Sequence, residues 1–284
     1  MASGSFAAGM KPPLNKDTTL CISLAGRPSN IGTRFHNYLY EQLGLDFIYK
    51  AFTTTDLAAA IGGVRALGIR GCSVSMPFKQ DVIPLVDHIE ASAKTIHAVN
   101  TIVNDDGRLT ASNTDYIAVQ RLISDHALNR DWSVLIRGSG GMANAVGAAF
   151  RDSGFHTGFV VARNDKTGPA LAERLGYRWL PESGSLSAEV IVNVTPIGMA
   201  GGPGEHETAF DKSTIDAAES VIDVVALPSE TPLIAAARAA GKPVITGAEV
   251  IALQAAEQFE RYTSVRPTDE LIAAAATMSR AASG

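Results

Sequence analysis

The sequence predicts an α/β protein with two domains, and three observations lead to that fold class. Short apolar runs suited to β-strands alternate with segments of helical spacing, which is typical of sheets with parallel strands. A glycine-rich turn between one such strand and a small-residue helix lies near the middle of the chain. The chain has 284 residues, of which 46% are hydrophobic, enough for two cores of ordinary size.

The glycine-rich turn lies in the segment Ser133–Phe150, where the apolar run 134–136 predicts a strand. Gly138, Gly140 and Ala143 follow with the spacing G-x-G-x-x-A, which lets a pyrophosphate approach backbone N–H groups at a helix start. Glycine-rich turns also precede helices in proteins without nucleotides, so this pattern alone leaves both interpretations open. The residues expected to bind the cofactor here are Gly138, Ser139, Gly140, Gly141, Met142 and Ala143.

The second strand of this unit, Gly158–Ala162, ends about 20 residues past the turn, where NAD sites usually carry Asp or Glu for the ribose 2′-hydroxyl. This chain has Arg163 there, followed by Asn164 and Lys166. Positive charge favours a 2′-phosphate, so we expect NADP rather than NAD as the cofactor. The alternative is a solvated arginine at a strand end.

The N-terminal part also alternates between strands and helices. A Thr-Thr-Asp sequence suits the start of its second helix. The expected strands are Thr18–Leu24, Asp46–Phe52, Gly71–Met76 and His97–Val103, and the expected helices are Phe35–Leu43 and Thr55–Leu67.

Polar side chains lie at the carboxyl end of the third of these strands. Because ligands bind at the carboxyl ends of strands in parallel sheets, Ser73, Ser75 and Lys79 are candidates for a site. Asn100 and Asp115, which flank the predicted turn 104–107, are further polar candidates. Without other support, a solvated loop lysine is the favoured explanation of Lys79.

After the glycine-rich turn, the sequence predicts further elements that complete a dinucleotide domain of roughly 130 residues. Two helices rich in Ala, Leu and Glu then close the chain, and they must pack on a domain already built. The expected strands are Glu189–Asn193, Val221–Val225 and Pro243–Thr246, and the expected helices are Pro232–Ala240, Ala248–Phe259 and Thr268–Ala282.

Composition excludes several classes of function. A net charge of −5 without a basic block argues against nucleic acid as a partner, and no apolar run is long enough for a membrane span. The N-terminus lacks the features of a signal peptide, so we expect a cytoplasmic protein, with residues 1–17 as a flexible lead-in. Cys21 and Cys72 lie in predicted strands without metal-ligand spacing, which predicts buried free thiols and no metal site.

As an ordered set, several of these motifs resemble the shikimate dehydrogenase family over nearly the whole chain. The segments 26–37 and 71–79 resemble the branch of shikimate dehydrogenase-like proteins. The motifs are Lys79 at the end of a Pro-x-Lys sequence, Asn100 in Ala-Val-Asn-Thr, Asp115 in Asn-Thr-Asp, the Gly138 turn, Asn193–Met199 and Gly247–Gln254.

The resemblance implies a catalytic domain formed by residues 1–113 and 247–284, an NADP-binding Rossmann domain formed by residues 114–246, and a cleft between them. It implies that Lys79 and Asp115 are catalytic, with the lysine accepting the hydroxyl proton and the carboxylate holding the ammonium. The implied substrate-binding residues are Ser75, Asn100 and Gln254, and Thr195 and Met199 join the cofactor site.

This sequence departs from the family at several positions. Asn30-Ile-Gly32 stands where the family has the Ser-x-Ser that holds the substrate carboxylate, and the loop is shorter. Ser73 and Ser75 replace an Asn and a Thr, and Ala226 replaces a tyrosine. We therefore expect NADP-dependent interconversion of shikimate, or a close hydroxylated cyclic acid, with its 3-dehydro ketone, at low efficiency on shikimate. The alternative is an NADP-binding regulatory protein with little turnover, and a homodimer stays open.

Overall fold

The computed structural model describes residues 11–184 and 186–281. The chain divides into two compact units, which we call the terminal unit (residues 1–114 and 252–284) and the central unit (residues 115–251). The boundaries expected from the sequence lie at 113/114 and 246/247. Most of the predicted lead-in, residues 1–10, lies outside the described residues, and the first strand begins at Thr19.

Among the described residues, the terminal unit holds a mixed sheet with the strand order β2-β1-β3-β5-β6-β4. Its strands are β1 Thr19–Leu24, β2 Phe47–Phe52, β3 Gly71–Val74, β4 His88–Ile89, β5 Thr101–Asp105 and β6 Arg108–Ser112. Its helices are α1 Asn30–Gln42, α2 Leu57–Ala66, α3 Ala91–Ile96 and α10 Asp269–Ala281, with a 3-10 turn at Ile83–Leu85 and most of α9 Gly247–Thr263.

The expectation of a parallel sheet is wrong for part of this unit. Strands β2, β1 and β3 are parallel, but β5 runs antiparallel to both β3 and β6. The pairing of β5 with β6 is antiparallel because a tight hairpin joins them, in which Asp106 and Gly107 both have positive φ. One result is that the start of β5 lies beside the carboxyl end of β3, with Thr101 opposite Ser73.

Three predicted boundaries also change. Helix α1 begins at Asn30, five residues before the expected Phe35, because Ser29 takes the extended N-cap conformation. The segment from His97 to Asn100 is not a strand, because His97 ends α3 with a left-handed φ of 52°. Strand β3 ends at Val74 instead of Met76.

The parallel sheet predicted for the central unit is confirmed. All of its strand pairs are parallel, in the order β12-β11-β10-β7-β8-β9, so the chain leaves β7 in one direction and returns on its other side at β10. Such a reversal is where open α/β sheets bind ligands. The strands are β7 Val134–Arg137, β8 Gly158–Val161, β9 Arg178–Leu180, β10 Val190–Asn193, β11 Ser220–Asp223 and β12 Val244–Ile245; the helices are α4 Thr114–Asp125, α5 Gly141–Asp152, α6 Thr167–Leu175, α7 Lys212–Ala217 and α8 Pro232–Ala239.

The core of the terminal unit lies on both faces of its sheet. On one face, aromatic side chains of α1 and α9 pack over β1 and β2, and α10 covers them. Gly71 is required there, because a Cβ at this position would lie 2.3 Å from the Tyr262 ring. Cys21 and Cys72 are buried free thiols on opposite faces, as expected from the sequence.

Substituting Gly71→Ala should destabilise the protein by about 1–3 kcal/mol, because the new methyl group overlaps the Tyr262 ring in a packed core. Gly62→Ala is the matched control, since its Cβ meets nothing within 4 Å and alanine favours the helix by roughly 0.5–1 kcal/mol. Urea unfolding followed by circular dichroism measures both changes. Equal stability of the two variants would contradict this account of the core.

Candidate functional site

Each unit holds one group of predicted site residues. In the central unit, the group surrounds the turn between β7 and α5. Gly138 has a φ of +125°, and a Cβ there would lie 2.8 Å from Val194 Cγ2, so only glycine fits. Gly140 is the N-cap of α5, and a Cβ at Gly140 or Gly141 would meet nothing within 4 Å. The helix start is therefore open to a phosphate at its unpaired N–H groups.

A cavity of about 740 Å³ lies beside this turn. Five predicted cofactor residues line it: Gly138, Ser139, Arg163, Asn164 and Thr195. The other predicted cofactor residues do not line it: Gly140, Gly141, Met142, Ala143, Lys166 and Met199. Ala143 is a buried residue of α5, whereas Lys166 and Met199 are exposed, the latter by 43%.

Asn164 organises the loop that carries Arg163. Its Oδ1 accepts hydrogen bonds from the backbone N–H groups of Lys166 (3.0 Å) and Thr167 (2.9 Å), which caps the start of α6. The hydroxyl of Thr167 in turn hydrogen-bonds that of Ser139 at 2.7 Å. The glycine-rich turn and the loop after β8 are thus tied together, and Arg163 is presented on an exposed, ordered segment.

A buried polar network holds the next two strand ends, and sequence inspection had not found it. Asn193 Nδ2 donates to Asp223 Oδ1 at 3.0 Å, and Asp223 Oδ2 accepts from the Thr231 hydroxyl at 2.6 Å. Asn193 Oδ1 also accepts from the N–H (3.0 Å) and hydroxyl (2.6 Å) of Thr195. The network therefore fixes Thr195 at the cavity wall. The sequence did contain a signal for this network, because each of two apolar strands ends in a polar residue, Asn193 and Asp223.

In the terminal unit, the predicted residue Asn100 is the centre of a second buried network. Its Oδ1 accepts hydrogen bonds from the Thr101 hydroxyl (2.8 Å) and from the N–H of Thr114 (2.8 Å). Thr114 directly precedes Asp115, which lies in the first turn of α4. Asn100 is only 3% exposed, and these two hydrogen bonds do not use its Nδ2 donor group.

Two glutamines of α9 complete this network. Gln254 Nε2 donates to the Thr114 hydroxyl at 3.1 Å, so the structure joins predicted residues Asn100 and Gln254 through Thr114. Gln258, one helical turn later, donates to Asn100 O (3.2 Å) and to Thr101 Oγ1 (3.1 Å). Gln258 was missed from the sequence, although an i, i+4 pair of glutamines on one helix face was a usable signal.

The sequence predicts that Asn30-Ile-Gly32 stands where the family has its Ser-x-Ser. Asn30 and Gly32 lie in the first turn of α1, and a Cβ at Gly32 would sit 3.8 Å from the Tyr49 hydroxyl. That hydroxyl makes a short hydrogen bond to Ser73 Oγ, and Tyr49 is only 3% exposed. The space beside Gly32 thus faces neutral hydroxyl groups.

The remaining predicted residues follow β3. Ser75 is exposed, and its N–H donates to the carbonyl of Leu24. Its own carbonyl accepts the N–H of Phe78, which closes a turn that contains the cis peptide between Met76 and Pro77. Lys79 is half-buried, and its carbonyl accepts the N–H of Val99 at 2.8 Å. Within residues 11–184 and 186–281, no helix could cross a membrane, and no group of three acidic, His or Cys side chains could hold a metal ion.

Asp223 is completely buried, and burial raises the pKa of its carboxyl to about 6 despite three hydrogen bonds to it. Between about pH 4 and pH 6 the folded chain keeps this proton while the unfolded chain loses it, so this group's contribution to stability falls as pH rises through that window. Relative to the native protein, the free energy of unfolding of Asp223→Asn should therefore rise by about 2–3 kcal/mol between pH 4 and pH 7.

Asp211 is the matched control for this prediction. It is an exposed N-cap carboxylate whose pKa is lowered, chiefly by the N–H of Thr214, so its contribution is lost as pH falls. Relative to the native protein, the free energy of unfolding of Asp211→Asn should consequently fall as pH rises. Urea unfolding at four pH values measures both profiles, and profiles of the same sign would refute the buried charge at Asp223.

Comparison with known proteins places the chain in a family. A family model for the shikimate dehydrogenase substrate binding domain matches residues 30–102. A shikimate dehydrogenase-like protein of Haemophilus influenzae is 58% identical over 94% of this chain and 98% of its own length. The NADP⁺ shikimate dehydrogenase of Pyrococcus abyssi is 32% identical over 88% of this chain and 94% of its own length.

Solved structures agree with these relatives. A shikimate 5-dehydrogenase-like protein, 58% identical, has a TM-score of 0.93 over 94% of this chain and 100% of that one. The shikimate 5-dehydrogenase of Thermus thermophilus, solved with NADP(H) and shikimate, is 27% identical, with a TM-score of 0.81 over 92% of this chain and 99% of that one. On this similarity across nearly its whole length, the chain belongs to the shikimate dehydrogenase family.

Proposed function

We propose that this NADP-dependent oxidoreductase of the shikimate dehydrogenase type interconverts shikimate, or a close hydroxylated cyclic acid, with its 3-dehydro ketone. The observation that carries the proposal is the network in which Asn100 and Gln254 both bind Thr114, the residue before Asp115. The network ties both amide side chains to the residue that precedes Asp115, which supports assigning all three residues to one site.

The central unit fits an NADP molecule on the features of its own residues. The turn at Gly138 and the open helix start at Gly140 and Gly141 suit the pyrophosphate. Arg163 lines the adjacent cavity where a 2′-phosphate is expected. We propose that Ser139, Asn164 and Thr195 orient the nucleotide. We propose that Met142, Ala143, Lys166 and Met199 also belong to the cofactor site.

When bound, NADP⁺ accepts the hydride from the substrate's carbinol carbon. The hydroxyl proton of that carbon must leave as the carbonyl forms, and we propose that Lys79 Nζ, as an amine, accepts it. Asp115 then holds the resulting ammonium, and the same groups return the proton in reduction. Asn100 Nδ2 and the Gln254 amide bind the ring hydroxyls, and the Ser75 hydroxyl adds a further polar contact.

Lys79→Ala should lower kcat by about 10²- to 10⁴-fold, the usual contribution of a positioned acid/base group, with nucleotide binding unchanged. Steady-state oxidation with NADP⁺ and calorimetric titration of NADP⁺ measure the two effects. Lys50→Ala is the control, because Lys50 is exposed over the Phe52 ring and has no assigned role. Native kcat in the Lys79 variant would remove this lysine from the mechanism.

The low efficiency on shikimate is part of the proposal. A Ser-x-Ser holds a carboxylate with two hydroxyl groups, and each hydrogen bond to a charged group contributes roughly 1.5–3 kcal/mol. Gly32 has no side chain to offer, and the nearest polar group is the Tyr49 hydroxyl, which already bonds Ser73. We therefore propose slow oxidation of shikimate and a better substrate whose anion lies elsewhere or is absent.

Gly32→Ser should lower KM for shikimate, because its Cβ has ordinary van der Waals room beside Tyr49 and its hydroxyl restores one half of the clamp. Rebuilding the loop between Gly26 and Phe35 with Ser-x-Ser and two added residues should lower KM further. Gly32→Ala, which adds the volume without the hydroxyl, is the control. A native kcat/KM on shikimate near 10⁵ M⁻¹s⁻¹, within the usual enzyme range, would contradict the proposal.

The second candidate is an NADP-binding regulatory protein with little turnover, which the changed residues at Asn30 and Gly32 favour. A screen for NADP⁺ reduction over polyols and hydroxy acids separates the two. Tight NADP binding with no turnover of any compound would favour the regulatory protein.

We also propose a cytoplasmic location and a homodimer. Cell fractionation tests the location, and light scattering tests the oligomeric state.

A further inference from the structure

Arg137 is a charged residue that none of the roles above uses. It ends strand β7 directly after three completely buried residues, Val134–Ile136, and directly before Gly138. In the sheet it lies between Val161 of β8 and Asn193 of β10. It therefore stands at the carboxyl end of the central strand, beside the position where this fold type binds its ligand.

The side chain of Arg137 is half-buried and lines the same cavity as Arg163. One guanidinium nitrogen donates a short hydrogen bond to the carbonyl of Ala209, which holds the group in place. Glu207 and Glu182 line the cavity as well. Burial and then the charge of Arg163 lower the pKa of Arg137, while Glu207 acts in the opposite direction.

Because Arg137 and Arg163 line one cavity, an anion bound there would be attracted by both guanidinium groups. A phosphate monoester suits that place, because it carries nearly two negative charges and accepts the paired N–H groups of arginine. With the pyrophosphate assigned to the turn at Gly138, the monoester that reaches this cavity is the one on the adenosine ribose. Glu207 lines the same cavity, so its carboxylate would compete with this phosphate for Arg137.

We propose that Arg137, together with Arg163, binds the 2′-phosphate of NADP and so determines cofactor specificity, and that Glu207 competes with this phosphate. The inference rests on the proposed placement of NADP in the central unit. A purely structural role is the alternative: through Ala209, Arg137 would hold the loop after β10 and contribute equally to every adenine nucleotide.

Calorimetric titration with adenosine 2′,5′-bisphosphate and with 5′-AMP tests this without any turnover. Arg137→Met should weaken bisphosphate binding by about 10- to 100-fold and change AMP binding by less than about threefold. Arg163→Ala should have the same signature. Glu207→Gln should tighten bisphosphate binding several-fold and leave AMP binding unchanged, an effect that a structural role for Arg137 does not produce.

Equal weakening of both ligands in Arg137→Met, or an unchanged ratio, overturns the inference. If Arg137→Met does not fold, Arg137→Lys is used instead, because it keeps the charge but loses the paired N–H groups. A partial loss of affinity for the bisphosphate alone supports the proposal. Native selectivity between the two ligands refutes it. Native protein that binds the bisphosphate no better than AMP refutes both this role and NADP as the cofactor. If Arg137→Met no longer prefers the bisphosphate to AMP, the role of Arg137 is supported even if the protein does not oxidise shikimate.

Discussion

The structure depends on one constraint that both units meet in the same way: beside each of the two proposed sites, a buried asparagine accepts a hydrogen bond from a backbone N–H group. Asn100 accepts the N–H of Thr114, and Asn193 accepts the N–H of Thr195. An unpaired N–H in such a place costs roughly 1–3 kcal/mol, so these amides hold the following segments in a single conformation. The segments they hold carry the residues assigned to chemistry and to the cofactor.

Burial gives these networks their precision and also their cost. Asp223 keeps three hydrogen bonds in a site with no exposed surface, and its raised pKa records the free energy of removing a carboxylate from water. The cavity beside the glycine-rich turn shows the opposite case, since Arg137 and Arg163 bring like charges together in a partly exposed site. Charge that is unfavourable without a ligand is a common property of sites that bind one.

Several features of the site follow from single residues that local patterns do not describe. The glycine spacing located the turn at Gly138, but the same pattern says nothing of Arg137 beside it. Gln258 was overlooked because an amide within an amphipathic helix has many ordinary explanations. The place of Gly32 over Tyr49 required α1 to begin at Asn30, earlier than its apolar spacing indicates.

By itself, the sequence determined the α/β class, the parallel direction of the strands in the central sheet and the glycine-rich turn. These features follow from local periodicity and from the backbone freedom of glycine. It also carried the family motifs through Lys79, Asn100, Asp115 and Gln254. Tertiary structure decided the reversal at β5, the joining of Asn100 and Gln254 through Thr114, and the position of Arg137 and Arg163 on one cavity. Each of these depends on contacts between residues far apart in the chain, whose packing no local pattern specifies.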